Sequence, residues 1–181
     1  MKDLSLHILD LMQNSTVVGS TLITLDVEDS IKENIYRFTL KDNGKGMDEE
    51  FLSKVTDPYT TSRSTRKVGL GLPLIKQNAE QCQGGFDIKS KLGVGTELSF
   101  WFKHDNIDRP PLGDLAGVVV LTAAQNEGIR FVYTHKTDKD TFVFDTKEVV
   151  EALGMGLNDM EIIKILRQMI EANLLEIEAN Q

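Results

Sequence analysis

The feature that most constrains the fold is an alternating segment, residues 35–42, which runs into the sequence DNGKGM. Tyr36, Phe38 and Leu40 share one face of a strand with a period of two, and Asp42 is the next residue on that face. A carboxylate at the rim of an apolar face is costly unless it is hydrogen-bonded. Asp42 therefore either bonds its own Asn-Gly turn, which this stretch alone favours, or accepts a hydrogen bond from a ligand amine.

Helical and strand periods alternate through the first hundred residues. They predict helices over residues 3–18, 48–55 and 69–83, and strands over residues 21–28, 86–91 and 96–103. The strand at 21–28 is expected to pair antiparallel with residues 35–42, because only a short connection separates them. Strands with one apolar face need helices on that face, so the expected fold class is α+β.

The last third of the chain has its own pattern. Prolines and polar residues over 104–114 are typical of a linker. Beyond it we predict a helix to about residue 125, a hairpin across 129–144, and helices near 146–153 and 158–172. We therefore divide the chain into a first domain (1–104), a linker (105–113) and a small α/β C-terminal region (114–181). This region would bind a partner or form a dimer surface, although its apolar helix MEIIKILRQMI is more simply explained as its own core.

Composition excludes several classes of function. Acidic residues outnumber basic ones by 28 to 20, and the net charge of −8 argues against nucleic-acid binding, which usually needs a basic face. Cys82 is the single cysteine, so no internal disulfide can form. No apolar run approaches the roughly 18 residues of a membrane span, and the N-terminus does not resemble a signal peptide. We expect a cytoplasmic protein.

Asp10 and Asn14 lie one helical turn apart on the first predicted helix and so face the same way. An amide oxygen beside a carboxylate can hold Mg²⁺ and orient a water. A solvated polar stripe explains the same spacing, and taken alone it is the simpler explanation. His7 belongs to this stripe, and we expect it at the surface or behind the site rather than as a ligand or phosphoacceptor.

The segment GLGLPLIKQ, residues 69–77, places glycines at the start of a helix. Free backbone N–H groups and the helix dipole there favour a phosphate, although a flexible helix start would have the same sequence. Arg63, Arg66 and Lys67 add positive charge just before it. The sequence has neither a P-loop motif nor a GxGxxG motif after a strand.

Thr96 follows a GVG turn and begins the strand predicted over 96–103. Its position on the face shared by Leu98, Phe100 and Phe102 would let its hydroxyl share a ligand with Asp42. A structural glycine turn is the alternative. Each of these four segments is weak evidence by itself, but their order along the chain is informative.

That order resembles the GHKL superfamily of gyrase, heat-shock chaperone, histidine kinase and mismatch-repair ATPases. LDLMQNS is similar to its N box, DNGKGM to its G1 box, DPYTTS to its F box and lid, GLGL to its G2 box, and GVGTELSF to its closing strand. The resemblance covers residues 4–103. It implies the Bergerat fold, a two-layer α/β sandwich with a mixed, mostly antiparallel sheet covered on one face by helices.

The resemblance implies ATP and Mg²⁺ as cofactors and assigns roles at matching positions. Asn14 would coordinate the Mg²⁺ that bridges the phosphates, and Asp42 would accept the adenine amino group with help from Thr96. Asp10 would orient a water or a substrate hydroxyl. The other implied contacts are Gly44 and Gly46 beside the base, Met47 packed near it, Gly69, Leu70, Gly71 and Leu72 at the phosphates, and Arg63, Arg66 and Lys67 as candidates for the γ-phosphate.

Three departures from the family pattern matter. Asp10 stands where the hydrolysing members have Glu, so the carboxylate is one methylene shorter and hydrolysis is expected to be slow. Tyr59 replaces the usual Phe of the F box, which is a mild change. Lys67 stands where many kinases have a third glycine, which would exchange backbone flexibility for a cation that can reach a phosphate.

Because the sequence begins at the N-box helix, autophosphorylation on a histidine of this chain is not expected. As a stand-alone ATP-binding module, the chain is similar to the anti-sigma serine kinases. In HILDLMQNS and IDRPPLGD it resembles more closely the small bacterial ATP-binding proteins that are encoded beside iron-only hydrogenases.

Two functions stay open. One is an enzyme that transfers the γ-phosphate to a protein partner, a kinase substrate or redox-complex subunit, or slowly to water. The other is an ATP-sensing switch with little turnover. A homodimer is also compatible with the sequence.

Overall fold

The structure, a computed structural model, describes residues 3–55 and 71–179. Its helices are α1 (Leu4–Val17), α2 (Glu49–Lys54), α3 (Gly71–Gln81), α4 (Leu115–Gln125), α5 (Thr146–Leu153) and α6 (Met160–Glu176). Its strands are β1 (Leu22–Ser30), β2 (Ile35–Asp42), β3 (Gly85–Lys91), β4 (Gly95–Lys103), β5 (Arg130–Thr137) and β6 (Thr141–Asp145). The helices and strands predicted in the described ranges are confirmed, with ends that differ by a few residues.

The strands form one six-stranded sheet in the order β3-β4-β2-β1-β5-β6. β1 and β5 are parallel, and the other four pairs are antiparallel. The predicted antiparallel pairing of the first two strands is therefore confirmed. A mixed, mostly antiparallel sheet is also what the Bergerat fold requires.

One face of this sheet carries the core. In β2 the side chains of Tyr36, Phe38 and Leu40 are buried, while the alternate residues Arg37 and Lys41 are more exposed. Phe38 stacks on Phe100 of β4, with ring centroids 5.0 Å apart. Because alternate residues point to opposite faces, the helices cover one face and leave the other to solvent, as the sequence predicts.

The C-terminal region continues the same sheet. β5 lies beside β1 in parallel register, so the predicted hairpin extends the first domain's sheet rather than forming one of its own. α4 is buried over nine of its eleven residues and packs against α1. The hydrophobic core includes residues on both sides of the predicted linker. The division into two domains therefore stays a prediction.

The predicted linker is held against α1. The backbone N–H groups of Leu4 and Ser5 donate to the carbonyl oxygens of Pro111 and Leu112, at 2.9 and 2.8 Å. These bonds satisfy two of the free N–H groups at the start of the helix, and the Asp3 side chain caps a third, that of Leu6. Within residues 3–55 and 71–179, no helix is long and apolar enough to cross a membrane.

Candidate functional site

A cavity of about 840 Å³ opens at the end of the sheet where β2 finishes and β4 begins. It lies between the last turn of α1, the segment that joins β2 to α2, and the start of α3. Most of its lining is apolar, contributed for example by Leu40, Met47 and Leu98. Of the predicted site residues that the structure describes, it is lined by Asn14, Asp42, Gly46, Met47, Leu72 and Thr96.

Asp42 is the last residue of β2, and its carboxylate faces this cavity. The residue is 9% exposed. Its Oδ2 accepts a hydrogen bond from the Ser15 hydroxyl at 2.9 Å, and its Oδ1 accepts one from the Gly44 N–H at 2.9 Å. A carboxylate has about four acceptor positions, so two protein donors leave it able to accept from a ligand. The turn bond predicted for Asp42 is confirmed, since its carboxylate accepts from the N–H of Gly44. Acceptance of a hydrogen bond from a ligand amine stays a prediction, for a carboxylate that lines a cavity.

Ser15 also lines the cavity, although its position in the sequence was not predicted to belong to the site. It lies one turn after Leu11, on the buried side of α1, where a hydroxyl needs a partner. That partner is Asp42, on the strand beneath the helix. The signal in the sequence is a polar residue on a helical stripe that is otherwise apolar.

Thr96 lies directly opposite Asp42 in the antiparallel pair of β2 and β4, so both side chains are on the cavity face. The Thr96 hydroxyl is 2.9 Å from that of Ser90, and Ser90 accepts a hydrogen bond from the Met47 N–H at 2.8 Å. Ser90, a second residue missed from sequence, thus links the loop after Asp42 to the floor of the cavity. The predicted sharing of a ligand by Asp42 and Thr96 is geometrically possible.

Gly44 and Gly46 allow close approach of other protein segments. A Cβ on Gly44 would lie 2.5 Å from Val18 Cγ2 and 2.6 Å from Ser20 Oγ. Gly46 has a φ of 66°, and a Cβ there would overlap the carbonyl oxygen of Lys91. Gly46 lines the cavity and Gly44 does not, so the predicted contact with a base stays a prediction for Gly46 and is not supported for Gly44.

At the other side of the cavity, Asn14 contributes a half-buried amide to the lining. Asp10, one turn earlier, does not line the cavity and lies against the start of α3, where a Cβ on Gly71 would overlap its Oδ2. The positive end of the α3 dipole favours a carboxylate there. The absence of a side chain at Gly71 thus lets α1 and α3 approach each other closely, and Leu72 lines the cavity.

Several predicted contacts lie outside the described residues. These are Arg63, Arg66, Lys67, Gly69 and Leu70, together with the lid expected over 57–68 and Tyr59 of the F box. Their roles stay predictions. Among the described lining residues the one cation is Lys45, so a triphosphate would depend on further positive charge or on a metal ion.

The donors present fit a magnesium ion held mainly by its nucleotide. Among the described residues there is no group of three or more His, Cys, Asp or Glu side chains that could hold a metal by itself. Mg²⁺ in nucleotide sites usually keeps waters and phosphate oxygens and takes only one or two protein ligands. The Asn14 amide at the edge of the cavity is a suitable single ligand.

His7 was expected at the surface or behind the site, and the surface alternative is wrong. The residue is 1% exposed, and neither ring nitrogen has a hydrogen-bond partner. Burial lowers the pKa of His7, while the carboxylates of Asp10 and Asp3 act in the opposite direction. At neutral pH the ring is therefore uncharged.

Comparison with known sequences agrees with this geometry. Residues 2–106 match the model of the family described as histidine kinase-, DNA gyrase B-, and HSP90-like ATPase. The sensor histidine kinase YvrG of Bacillus subtilis is 35% identical over 75 residues, which are 39% of this chain and 13% of that protein. The autoinducer 1 sensor kinase/phosphatase LuxN of Vibrio campbellii is 30% identical over 165 residues, 86% of this chain and 19% of that protein. The chain spans less than a fifth of either relative.

Two solved structures share the fold. The N-terminal domain of a DNA repair protein superposes with a TM-score of 0.55 at 14% identity, over 79% of this chain and 52% of that one. The MutL ATPase domain of Aquifex aeolicus, solved in complex with ADP, gives a TM-score of 0.51 at 18% identity, over 86% of this chain and 70% of that one. These matches confirm the predicted α+β fold class.

Proposed function

Because the chain belongs to the family of histidine kinase-, DNA gyrase B- and HSP90-like ATPases, we propose that it binds ATP with Mg²⁺ in the cavity beside Asp42. It passes the γ-phosphoryl group to a partner protein or, slowly, to water. The observation that carries this proposal is the buried Asp42 carboxylate, which keeps acceptor capacity on the cavity side. An apolar cavity with a few convergent polar groups is the usual form of a small-molecule or cofactor site.

In this proposal Asp42 selects the base. Its carboxylate accepts a hydrogen bond from the exocyclic amino group of adenine, and Thr96 assists, directly or through a water. Met47, Leu40 and Leu98 supply apolar contacts to the ring. A site that hydrogen-bonds a particular donor rejects analogues without it, because its own buried group would be left unpaired.

At the phosphates, Asn14 is the protein ligand for Mg²⁺, which when bound would neutralise charge on the β- and γ-phosphate oxygens. The phosphates are proposed to contact backbone N–H groups of the GLGL segment, Gly69, Leu70, Gly71 and Leu72, of which the last two begin α3. Arg63, Arg66 and Lys67 are the proposed cations at the γ-phosphate. In the transfer step an acceptor hydroxyl bonds to the γ-phosphorus, the bond to the β–γ bridging oxygen breaks, and ADP leaves. Asp10 is the candidate to orient the hydroxyl and take its proton.

The packing of Asp10 favours a second candidate function, an ATP-dependent switch with little turnover. Asp10 is shorter than the Glu of hydrolysing members and lies against Gly71 instead of lining the cavity. A base held away from the nucleotide would leave bound ATP largely intact, so that binding itself is the signal. The proposed partner in either case is a cytoplasmic protein, a kinase substrate or a redox-complex subunit such as a hydrogenase component. A second copy of the chain is the alternative partner.

The substitution Asp42→Asn tests the site. We expect it to weaken ATP and ADP binding by about 100-fold, the size of one lost charge-assisted hydrogen bond to the ligand, without lowering the melting temperature. Asp26→Asn is the matched control, because Asp26 is an exposed aspartate on the opposite face of β1. Titration calorimetry measures both variants. Undiminished affinity in Asp42→Asn would contradict the site assignment.

ATP labelled on the γ-phosphate separates the reactions. Incubation of the protein with labelled ATP and the soluble proteins of its host gives a labelled partner if it is a kinase. Released phosphate indicates an ATPase, and bound, unaltered ATP indicates the switch. Asp42→Asn is the control for each outcome, because any signal that survives in it does not come from this site.

A further inference from the structure

The turn between α1 and β1 is fastened to the loop after Asp42 by the side chain of Asn43. Asn43 Oδ1 accepts hydrogen bonds from the backbone N–H groups of Thr21 and Leu22, at 2.9 and 3.0 Å. Its Nδ2 donates to Thr21 Oγ1 at 2.8 Å. One amide side chain thus makes three hydrogen bonds to two residues that are distant in sequence.

Backbone contacts extend this fastening on both sides. The N–H of Lys45 donates to the carbonyl oxygen of Val18 at 3.1 Å, and the N–H of Asn43 donates to that of Leu22 at 3.3 Å. Gly44, between them, packs so closely on Val18 that a side chain would not fit. Residues 42–45 and residues 18–22 are therefore held together by two backbone hydrogen bonds, and Asn43 adds three from its side chain.

The Asp42 carboxylate bonds to α1 through one oxygen and to residues 42–45 through the other. One of its oxygens accepts from Ser15 on α1, and the other accepts from the N–H of Gly44. The Ser20 hydroxyl donates to the carbonyl oxygen of Ser15 at 2.7 Å, which ties the end of α1 to the turn. The plane of the carboxylate depends on the distance between its two donors, and the bonds of Asn43 to Thr21 and Leu22 are among the contacts that fix this distance.

We propose that Asn43 is the positioning residue for base selection: it holds the α1–β1 turn against the Asp42 loop so that the carboxylate presents a fixed acceptor to a 6-aminopurine nucleotide. This inference rests on the proposed function. A misplaced acceptor loses most of the benefit of a directional hydrogen bond, but the apolar cavity still binds the ring. Loss of Asn43 therefore reduces discrimination between a 6-amino and a 6-oxo purine.

The test compares the dissociation constants of ADP and IDP, which differ in the 6-amino or 6-oxo group and in the proton that the 6-oxo base carries on N1. Wild-type protein is expected to prefer ADP. In Asn43→Ala the affinity for ADP falls about tenfold, as expected for a group misplaced by a fraction of an ångström, while the affinity for IDP changes less than about threefold. Asn173→Ala is the control: Asn173 lies on α6, makes one exposed side-chain hydrogen bond, and should leave both constants unchanged.

Thr21 supplies a second pair of variants. Thr21→Val removes the acceptor for Asn43 Nδ2, and Thr21→Ser keeps it. We expect the ADP preference to fall in the first variant and to persist in the second. Because Thr21 is exposed, neither change threatens the fold. This pair decides the question if Asn43→Ala fails to fold.

A merely structural role for Asn43 would weaken ADP and IDP equally and leave their ratio at the wild-type value, which would overturn the inference. An unchanged ratio in Thr21→Val, with Asn43→Ala unable to fold, would overturn it as well. Wild-type protein that binds neither nucleotide would instead overturn the proposed function, and this inference with it. Binding of ADP by wild type separates the two failures.

Discussion

Two buried aspartates lie near opposite ends of neighbouring strands, Asp42 on β2 and Asp29 on β1. The register of the pair places Ile23 beside Asp42 at one end and Tyr36 beside Asp29 at the other. Asp42 accepts hydrogen bonds from one hydroxyl and one backbone N–H, both uncharged, and faces a cavity of about 840 Å³. Its remaining acceptor capacity is directed toward that space.

Asp29 is surrounded by ionisable and aromatic side chains from distant parts of the chain. Its Oδ1 is 2.9 Å from His104 Nε2, and its Oδ2 is 3.7 Å from His135 Nε2. The side chain is 0% exposed. The Tyr133 hydroxyl is 2.7 Å from His135 Nδ1, and burial raises the pKa of Tyr133, so this phenol stays neutral. Asp29 therefore joins β1 to the residue after β4 and to β5.

The difference shows how the same residue type serves two purposes in one sheet. At the Asp29 end, protein groups enclose the carboxylate and connect the first domain to the C-terminal region. At the Asp42 end, uncharged donors orient the carboxylate and leave one side open. Buried charges with protein partners affect stability, whereas a buried charge beside a cavity affects what can bind there.

The largest expected effect is on stability, at Asp29. Asp29→Asn removes the charge that faces two histidines, and breaking a buried pair by altering one partner costs about 3 kcal/mol of unfolding free energy. Denaturant unfolding measures the loss, and ADP affinity should be unchanged because the site lies at the other end of the sheet. Asp42→Asn is the reciprocal variant, with weakened binding and near-normal stability. Equal loss of affinity in the two variants would contradict the comparison.

A smaller effect is expected from the cation above Tyr36. The Arg109 guanidinium lies 4.7 Å from the centroid of this buried ring, so Arg109→Met should cost about 1 kcal/mol of stability without changing ADP affinity. Arg37→Met is the comparison variant, and it also removes an exposed ion pair of Arg37 with Glu28. Arg37 lies 5.6 Å from the Trp101 ring on the open face of the sheet, where a cation–π contact contributes only about 0.5 kcal/mol. Equal losses of unfolding free energy in the two variants would show that the Asp29 end of the sheet has no special role in stability.

Much of this arrangement is local and could be predicted. β2 has the predicted limits, because the alternation that starts at Ile35 stops at the turn after Asp42. The same alternation placed Asp42 and Thr96 on the core face, and the register confirms that they are opposite each other. The alternation of the two strands was therefore sufficient to predict that Asp42 and Thr96 lie on the same face of the sheet.

The partners that are distant in sequence could not be predicted. Alternation identifies the buried face of β5 but not its neighbour, so its parallel pairing with β1 and the contact of His135 with Asp29 were missed. Asn43 appears in the sequence as an ordinary turn residue, because its bonds to Thr21 and Leu22 exist only after the strands pair. His7 lies on a polar stripe of α1, yet it is buried in the folded chain. The periodicity of one helix shows which residues share a face, but it does not show how many other elements will pack against that helix.

The smallest expected effect concerns His7, a buried ionisable group that, unlike the two aspartates, has no hydrogen-bond partner. Burial lowers its folded pKa, so below the unfolded value near 6.5 the unfolded chain binds a proton that the folded chain resists. The contribution of His7 to stability is therefore neutral above this range and becomes unfavourable as the pH falls through it. The loss at pH 6 is at most about 0.8 kcal/mol, the limit for a histidine that titrates only when unfolded.

His7→Leu isolates this contribution, because it keeps an apolar side chain in the buried position and removes the proton. The difference in unfolding free energy between wild type and variant, measured in denaturant at pH 7.5 and pH 6, should shift in favour of the variant at the lower pH. His104 and His135 are present in both proteins, so what they contribute to stability cancels in the difference. A difference that is independent of pH would mean that His7 acquires a partner in solution, and it would then resemble Asp29, whose buried charge faces protein groups.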